Sequence, residues 1–171
     1  MVPALRELFT NGFGHVRLVA WDLDETLGPE GGWVSGSLSS YISNREELKD
    51  TIRWLDDNGV ESIIVSRNSG FCDAEYAPSV RAAKRLGFQG AAHCPRRRKT
   101  NKAALASEMT GVPVENILLV DDQAVECRHA AAAGGQAIFV PHGPAIHTVP
   151  QGRFSLYVLN RHTGRVNRIN V

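Results

Sequence analysis

The segment Trp21-Asp22-Leu23-Asp24-Glu25-Thr26-Leu27 follows an apolar run, Val16 to Ala20. It puts two carboxylates two residues apart at the end of what reads as a buried strand. Aspartate is depleted in strands, and acids placed there cost stability unless they bind a metal or do chemistry. A second acidic pair, Asp121-Asp122, closes another apolar run, Asn116 to Val120. A polar turn, Ser66-Arg67-Asn68-Ser69-Gly70, closes a third, Val60 to Val65.

These residues need elements to carry them. Helical patterns alternate with the apolar runs. Ser43-Asn44-Arg45-Glu46 reads as a capping box, with Ser43 as N-cap of a helix running to Asn58 and Gly59 ending it. Ala77 to Leu86 reads as helical with Gly87 as its stop, and Phe88 to Ala92 as a short strand. Thr100 to Met109 reads as the next helix, then Ala124 to Ala133, then a strand over Gln136 to Val140. The repeating βα order predicts an α/β, Rossmann-like fold, a parallel sheet between two helical layers. Ligands bind such sheets beyond the carboxyl ends of the strands. Asp22, Ser66 and Asp121-Asp122 all fall at that rim, so three strands deliver polar groups to one place. Phe154 to Leu159 and Val166 to Val171, around a Gly-containing turn, read as a β-hairpin. Residues 1–150 are expected to form the core and 151–171 an extension of the same domain.

Composition narrows the class. A chain of 171 residues suits one domain with a sizeable core. A net charge of +1 gives no overall pull toward nucleic acid or membrane. Three widely spaced cysteines, Cys72, Cys94 and Cys127, argue for a reducing compartment rather than a disulfide framework. Residues 1–10 carry Arg6 and Glu7 and lack the apolar core of a signal peptide, and no stretch is apolar enough to span a membrane. A cytoplasmic location, with no membrane partner, is the expectation.

Asp22-x-Asp24-x-Thr26, Ser66 after its strand, Lys99 at a helix start, and Asp121-Asp122 followed by Glu126 resemble, in order, the four motifs of the haloacid dehalogenase (HAD) superfamily. The resemblance covers about residues 20 to 140. Asp-Leu-Asp-Glu-Thr-Leu, the Ser66 turn and Thr110-Gly111-Val112-Pro113 resemble its magnesium-dependent phosphatase branch and the related glyceryl-loading (FkbH-like) domains of polyketide pathways. Gly28-Pro29 stand where those relatives often carry aromatic residues.

The resemblance implies a phosphomonoester hydrolase. Asp22 would attack phosphorus and become an aspartyl-phosphate. Asp24 would protonate the leaving oxygen and then deprotonate the attacking water. Mg²⁺ would be held by Asp22, the Asp24 main-chain carbonyl and Asp122, with Asp121 and Glu126 behind them. Ser66 and Lys99 would hold phosphoryl oxygens, and Arg67 and Asn68 of the same turn would help bind substrate. Thr26 would brace the turn. Lys102, one helical turn after Lys99, is its rival for the lysine role. The acid at Asp24 together with the metal ligand Asp122 favours phosphoryl transfer over dehalogenation.

Simpler readings stand beside these. Asp121-Asp122 can cap the following helix, Glu126 can be a solvated helix acid, and Arg96-Arg97-Arg98 can be a solvated loop. Trp33 and Tyr41 either line the site or merely pack. His93-Cys94 with Cys127-x-His129 fits no standard zinc spacing. The gaps 27–41 and 70–98 hold no large cap domain, so an open site is expected. By analogy that suits a bulky substrate: a protein, a sugar adduct or a nucleic-acid end. Basic stretches at 96–99 and 153–168 motivate the nucleic-acid variant. Glyceryl loading onto a carrier, or a non-catalytic interaction domain with this fold, are the alternatives.

Overall fold

The computed structural model of the chain describes residues 2–28, 38–68, 77–95, 101–141, 155–159 and 166–170. The chain opens with helix α1, Val2–Asn11, followed by β1, Leu18–Trp21. A short helix α2, Leu38–Tyr41, and a longer α3, Arg45–Asp57, lead to β2, Glu61–Ser66. Then come α4, Ala77–Arg85; β3, Gly90–His93; α5, Lys102–Thr110; β4, Ile117–Asp121; α6, Ala124–Ala132; and β5, Gln136–Phe139. The last strands are β6, Ser155–Leu159, and β7, Val166–Asn170.

The strands form one seven-stranded sheet in the order β3-β2-β1-β4-β5-β6-β7. Every neighbouring pair is parallel except β6 and β7. Strand β1 is therefore internal to the sheet, with β2 on one side and β4 on the other. Its residues are buried on both faces, which is why the run reads as continuously apolar rather than alternating. Val19 and Trp21 pack with α1, α3 and α4, whereas Leu18 and Ala20 pack with α5 and α6. The result is the expected three-layer α/β sandwich. The expected hairpin is present and lengthens the sheet edge: β6 adds in parallel to β5, and β7 folds back antiparallel on β6. Tyr157 of β6 packs edge-on against Phe13, with centroids 4.8 Å apart. No cap domain stands among the described residues, and the stretches 29–37 and 69–76 outside them are short. No helix among the described residues is long and apolar enough to cross a membrane.

Two local expectations change. Ser43 is not the cap of α3. The helix begins at Arg45, and Asn44 occupies the cap position at φ 49 and ψ 43 without a side-chain bond to the helix. A capping box needs the Ser43 N–H for the returning glutamate. That N–H instead donates to the Leu27 carbonyl at 2.9 Å, tying the helix entry to the loop after β1. Glu46 pairs with Arg45 and Lys49. Helix α1 was not expected, although Leu5, Leu8 and Phe9 carry helical spacing. Their burial depends on α3, where Phe9 meets Trp54 edge-on at 5.7 Å.

The helix ends follow chemistry already visible in the sequence. After α3, Gly59 takes φ +72. Its N–H donates to Asp56 O and the Val60 N–H to Leu55 O, both at 2.9 Å. This paired motif needs a left-handed residue, which glycine adopts without a Cβ clash. The same two bonds close α4 and α6. Each returns the chain directly to a strand whose far end lies at the polar rim.

Candidate active site

In the β1–β4 pairing Trp21 lies opposite Val120, so the next residues, Asp22 and Asp121, emerge side by side. The Asp22 N–H donates to Val120 O at 2.9 Å, carrying the ladder one step past the strand. Ser66 ends β2 on the other side of β1 and is fully buried. Its Oγ accepts the Asn68 N–H at 3.0 Å, which leaves its hydroxyl proton to point elsewhere.

Among the described residues, the cation against these acids is Lys102. Its Nζ lies 2.6 Å from Asp22 Oδ1 and 2.6 Å from Asp121 Oδ2, and the residue is 1% exposed. The sequence reading preferred Lys99 and kept Lys102 as the rival; Lys99 lies outside the described residues. The difference comes from where the helix starts. Asn101 caps α5, its Oδ1 accepting the Ala104 N–H at 2.7 Å, so Lys102 rather than Thr100 is the first helical residue. That position turns the Lys102 stem inward, between the ends of β1 and β4.

Asp121 is fully committed. Oδ2 takes Lys102 and Oδ1 accepts the Gln123 N–H at 2.8 Å, so it both holds the lysine and closes the turn into α6. Asp122 is more open, and its N–H donates to Thr26 Oγ1 at 3.0 Å. Thr26 Oγ1 also lies 3.4 Å from Asp22 Oδ2 and 3.5 Å from Asp122 Oδ1. It braces the two acidic strand ends against each other, as its place in the motif implies.

Carboxylate oxygens of Asp22, Asp121 and Asp122 all lie within 4.8 Å of one another. Among the described residues these three carboxylates face one ammonium, that of Lys102. Burial raises all three pKa values: Asp22 upward, Asp121 to about 8, and Asp122 to about 7, with Asp22's charge adding to the last two. Burial disfavours the Lys102 ammonium, but Asp121 and Asp22 outweigh it and push its pKa up. Acids crowded beyond their available counter-charge form a site fitted to a divalent cation. No other such group occurs among the described residues, and the zinc reading of His93-Cys94 with Cys127-x-His129 finds no support. Cys94 and Cys127 are buried and in no disulfide, and burial holds the Cys127 thiol well above its ordinary pKa.

Three other residues make contacts that motif spacing does not show. Arg67 does not face the acidic cluster with an open guanidinium. It makes a two-pronged pair with Glu126, at 2.8 and 3.0 Å from NH2, and NH1 donates to the Cys94 and Pro95 carbonyls. Arg67 and Glu126 thereby lock the ends of β2 and β3 to the start of α6. Asn68 turns to Asp24, with Nδ2 3.0 Å from Oδ2 and 3.4 Å from Oδ1. Tyr41 Oη donates to Asp24 Oδ1 at 3.1 Å. Sequence left Tyr41 undecided between lining the site and packing, because only the fold brings α2 back over the turn after β1.

The class defined by this architecture is the HAD-type α/β fold, with its acids on the rim of the central strands. Solved structures of that class align with most of the chain. A putative HAD-like phosphatase from Mesorhizobium loti aligns at a TM-score of 0.58 and 16% identity, over 88% of this chain and 82% of that one. The D,D-heptose 1,7-bisphosphate phosphatase of B. bronchiseptica, complexed with magnesium and phosphate, aligns at 0.54 and 19%, over 81% and 88%. The 3-deoxy-D-manno-octulosonate 8-phosphate phosphatase of Moraxella catarrhalis, in complex with magnesium, phosphate and its sugar, aligns at 0.52 and 19%, over 82% and 76%. No protein-family model matches the sequence, and no curated protein matches it.

Proposed function

We propose that the chain is a Mg²⁺-dependent phosphomonoester hydrolase of the magnesium-dependent phosphatase branch, working through an aspartyl-phosphate on Asp22. One observation carries the reading: Asp22 directly follows β1 and lies in a cluster of three carboxylates that, among the described residues, faces the Lys102 ammonium. An acid cluster of this composition on a HAD-type fold matches the need of phosphoryl transfer for a cation and a nucleophile at one point. Similar folds in the heptose and octulosonate phosphatases hold magnesium with phosphate.

Asp22, the Asp24 main-chain carbonyl and Asp122 would hold Mg²⁺. When bound, the ion offsets the repulsion between a carboxylate nucleophile and a phosphate dianion. Lys102 fixes the Asp22 side chain and takes the role that spacing suggested for Lys99. The Ser66 hydroxyl donates to a phosphoryl oxygen. Asp22 forms a bond to phosphorus as the ester oxygen leaves with the Asp24 proton. Water then attacks phosphorus, returns a proton to Asp24, and frees Asp22. Asp121 keeps Lys102 in place, and Glu126 with Arg67 supports the rim from behind.

The absence of a cap among the described residues supports an open site and a bulky phosphorylated substrate. A phosphosugar, a phosphoprotein and a phosphorylated nucleic-acid end are the classes to compare. No described feature favours glyceryl loading over hydrolysis. The test is hydrolysis of p-nitrophenyl phosphate by the purified chain. Turnover should need Mg²⁺, stop with EDTA, and vanish in Asp22→Asn. A folded, Mg²⁺-loaded protein inert toward phosphosugars, phosphopeptides and 3′-phosphorylated oligonucleotides as well would overturn the reading.

A further inference from the structure

Asp24 is held by two side chains that neither motif spacing nor the acidic cluster accounts for. Tyr41 Oη donates to Oδ1 at 3.1 Å and Asn68 Nδ2 to Oδ2 at 3.0 Å, so each carboxylate oxygen has its own donor. The donors come from opposite sides. Tyr41 ends α2, beyond the loop after β1, and Asn68 follows β2. The Tyr41 hydroxyl also faces the Glu25 backbone. Glu25 takes φ 61, a left-handed conformation uncommon outside glycine. The tyrosine therefore holds the Asp24 side chain beside this left-handed turn.

A seat for the ring exists in the chain. Gly28 lies beneath Tyr41, and a Cβ built there would run into the Tyr41 ring carbons. The lack of a side chain at 28 lets the phenol approach the turn after β1. Asn68 is fixed as well, since its backbone N–H is bonded to Ser66 Oγ at 3.0 Å. The clamp thus links Asp24 to the serine that ends β2.

We infer that Tyr41 and Asn68 are positioning residues that hold Asp24 in the orientation for proton transfer to the leaving oxygen, with Gly28 as the seat of the Tyr41 ring. The inference rests on the phosphohydrolase reading. Proton transfer requires the donor within hydrogen-bond reach of the leaving oxygen, and an aspartate freed from both donors samples other rotamers. The benefit is greatest when the leaving group is a poor one. An aliphatic alkoxide must take a proton as it departs, whereas p-nitrophenolate departs without one. Discrimination between these leaving groups is therefore the property the clamp supports.

The experiment measures kcat/KM for p-nitrophenyl phosphate and for an aliphatic phosphate monoester, in wild type, Asp24→Asn, Tyr41→Phe and Gly28→Ala. This ratio counts only the steps up to departure of the leaving group, so the later water step does not enter. Tyr41→Phe keeps the ring and removes the donor. It should lower kcat/KM on the aliphatic ester about tenfold, the effect of one lost hydrogen bond to a charged group, and on the aryl ester less than threefold. Gly28→Ala displaces the ring and should show the same selective loss. Asp24→Asn should show it more strongly. Equal losses on both esters in Tyr41→Phe, or no loss, overturn the clamp while Asp24→Asn still discriminates. Failure of Asp24→Asn to discriminate overturns the role of Asp24 in proton transfer, and the clamp with it. Thermal melts of each variant confirm that the folded protein is being compared.

Discussion

Lys102→Met tests the site where its electrostatics are most concentrated. The Lys102 ammonium is 1% exposed and lies 2.6 Å from both Asp22 and Asp121. Methionine keeps the stem and removes the charge, leaving buried carboxylates with no cation. Breaking a buried ion pair in this way costs ~3–5 kcal/mol. The carboxylates can soften the loss by keeping a proton: burial holds Asp121 at about 8 and Asp122 at about 7 with Lys102 present, and its removal pushes both higher. That escape is widest at pH 5 and narrows as pH rises, so the low end of the range, ~3 kcal/mol, is the expectation at pH 8 without metal. For a chain of this length that shifts the melting temperature by ~6–12 °C. The assay is thermal unfolding followed by circular dichroism, at pH 5 and pH 8 in EDTA, with the gap between wild type and variant wider at pH 8. Turnover of p-nitrophenyl phosphate should fall at least a hundredfold in Lys102→Met, and at least tenfold less in Lys99→Met. An unchanged melt at pH 8, or a larger activity loss in Lys99→Met, would refute the placement of the charge and restore the lysine that spacing preferred.

Other consequences are open to the same kinds of measurement. Between pH 4 and 8 the folded, metal-free protein holds protons on Asp121 and Asp122 that the unfolded chain releases, because both pKa values lie above the usual 3.8. Stability of the metal-free protein should therefore fall as pH rises through this window, and the gain in melting temperature on adding Mg²⁺ should grow from pH 5 to pH 8. Thr26→Val leaves the Asp122 N–H without its acceptor. It should cost ~1–3 kcal/mol in denaturant melts and weaken Mg²⁺ binding in a calorimetric titration. Arg67→Met breaks the pair with Glu126. It should destabilise the fold by ~3 kcal/mol while KM for aryl phosphate stays within about twofold, the reverse of what a substrate-binding arginine would show.

Much of the architecture was legible because its signals are local. Leu18 to Trp21, Ile63 to Val65 and Ile117 to Val120 are apolar throughout, which is what strands buried on both faces require. Glycines at 59, 87 and 134 mark the helix ends. The repeated order places Asp22, Ser66 and Asp121-Asp122 at one rim before any contact is known. Where local rules misled, a distant partner had intervened. Ser43 looks like a cap, but its N–H belongs to Leu27. Leu5, Leu8 and Phe9 form a helical stripe too short to stand out without Trp54 to cover it.

The site divides along the same line. Sequence alone determined which residue types gather at the rim, since a side chain at the end of a parallel strand can go nowhere else. Tertiary structure alone decided which of them touch. Lys102 meets Asp22 and Asp121 because Asn101 sets the first turn of α5. Arg67 turns to Glu126, and Asn68 and Tyr41 turn to Asp24. Each pairing joins residues far apart in the chain, and its geometry follows from helix phase and strand register. Strand propensity and motif order are properties of neighbours in sequence. The charge balance of a buried cluster exists only once the chain has closed around it.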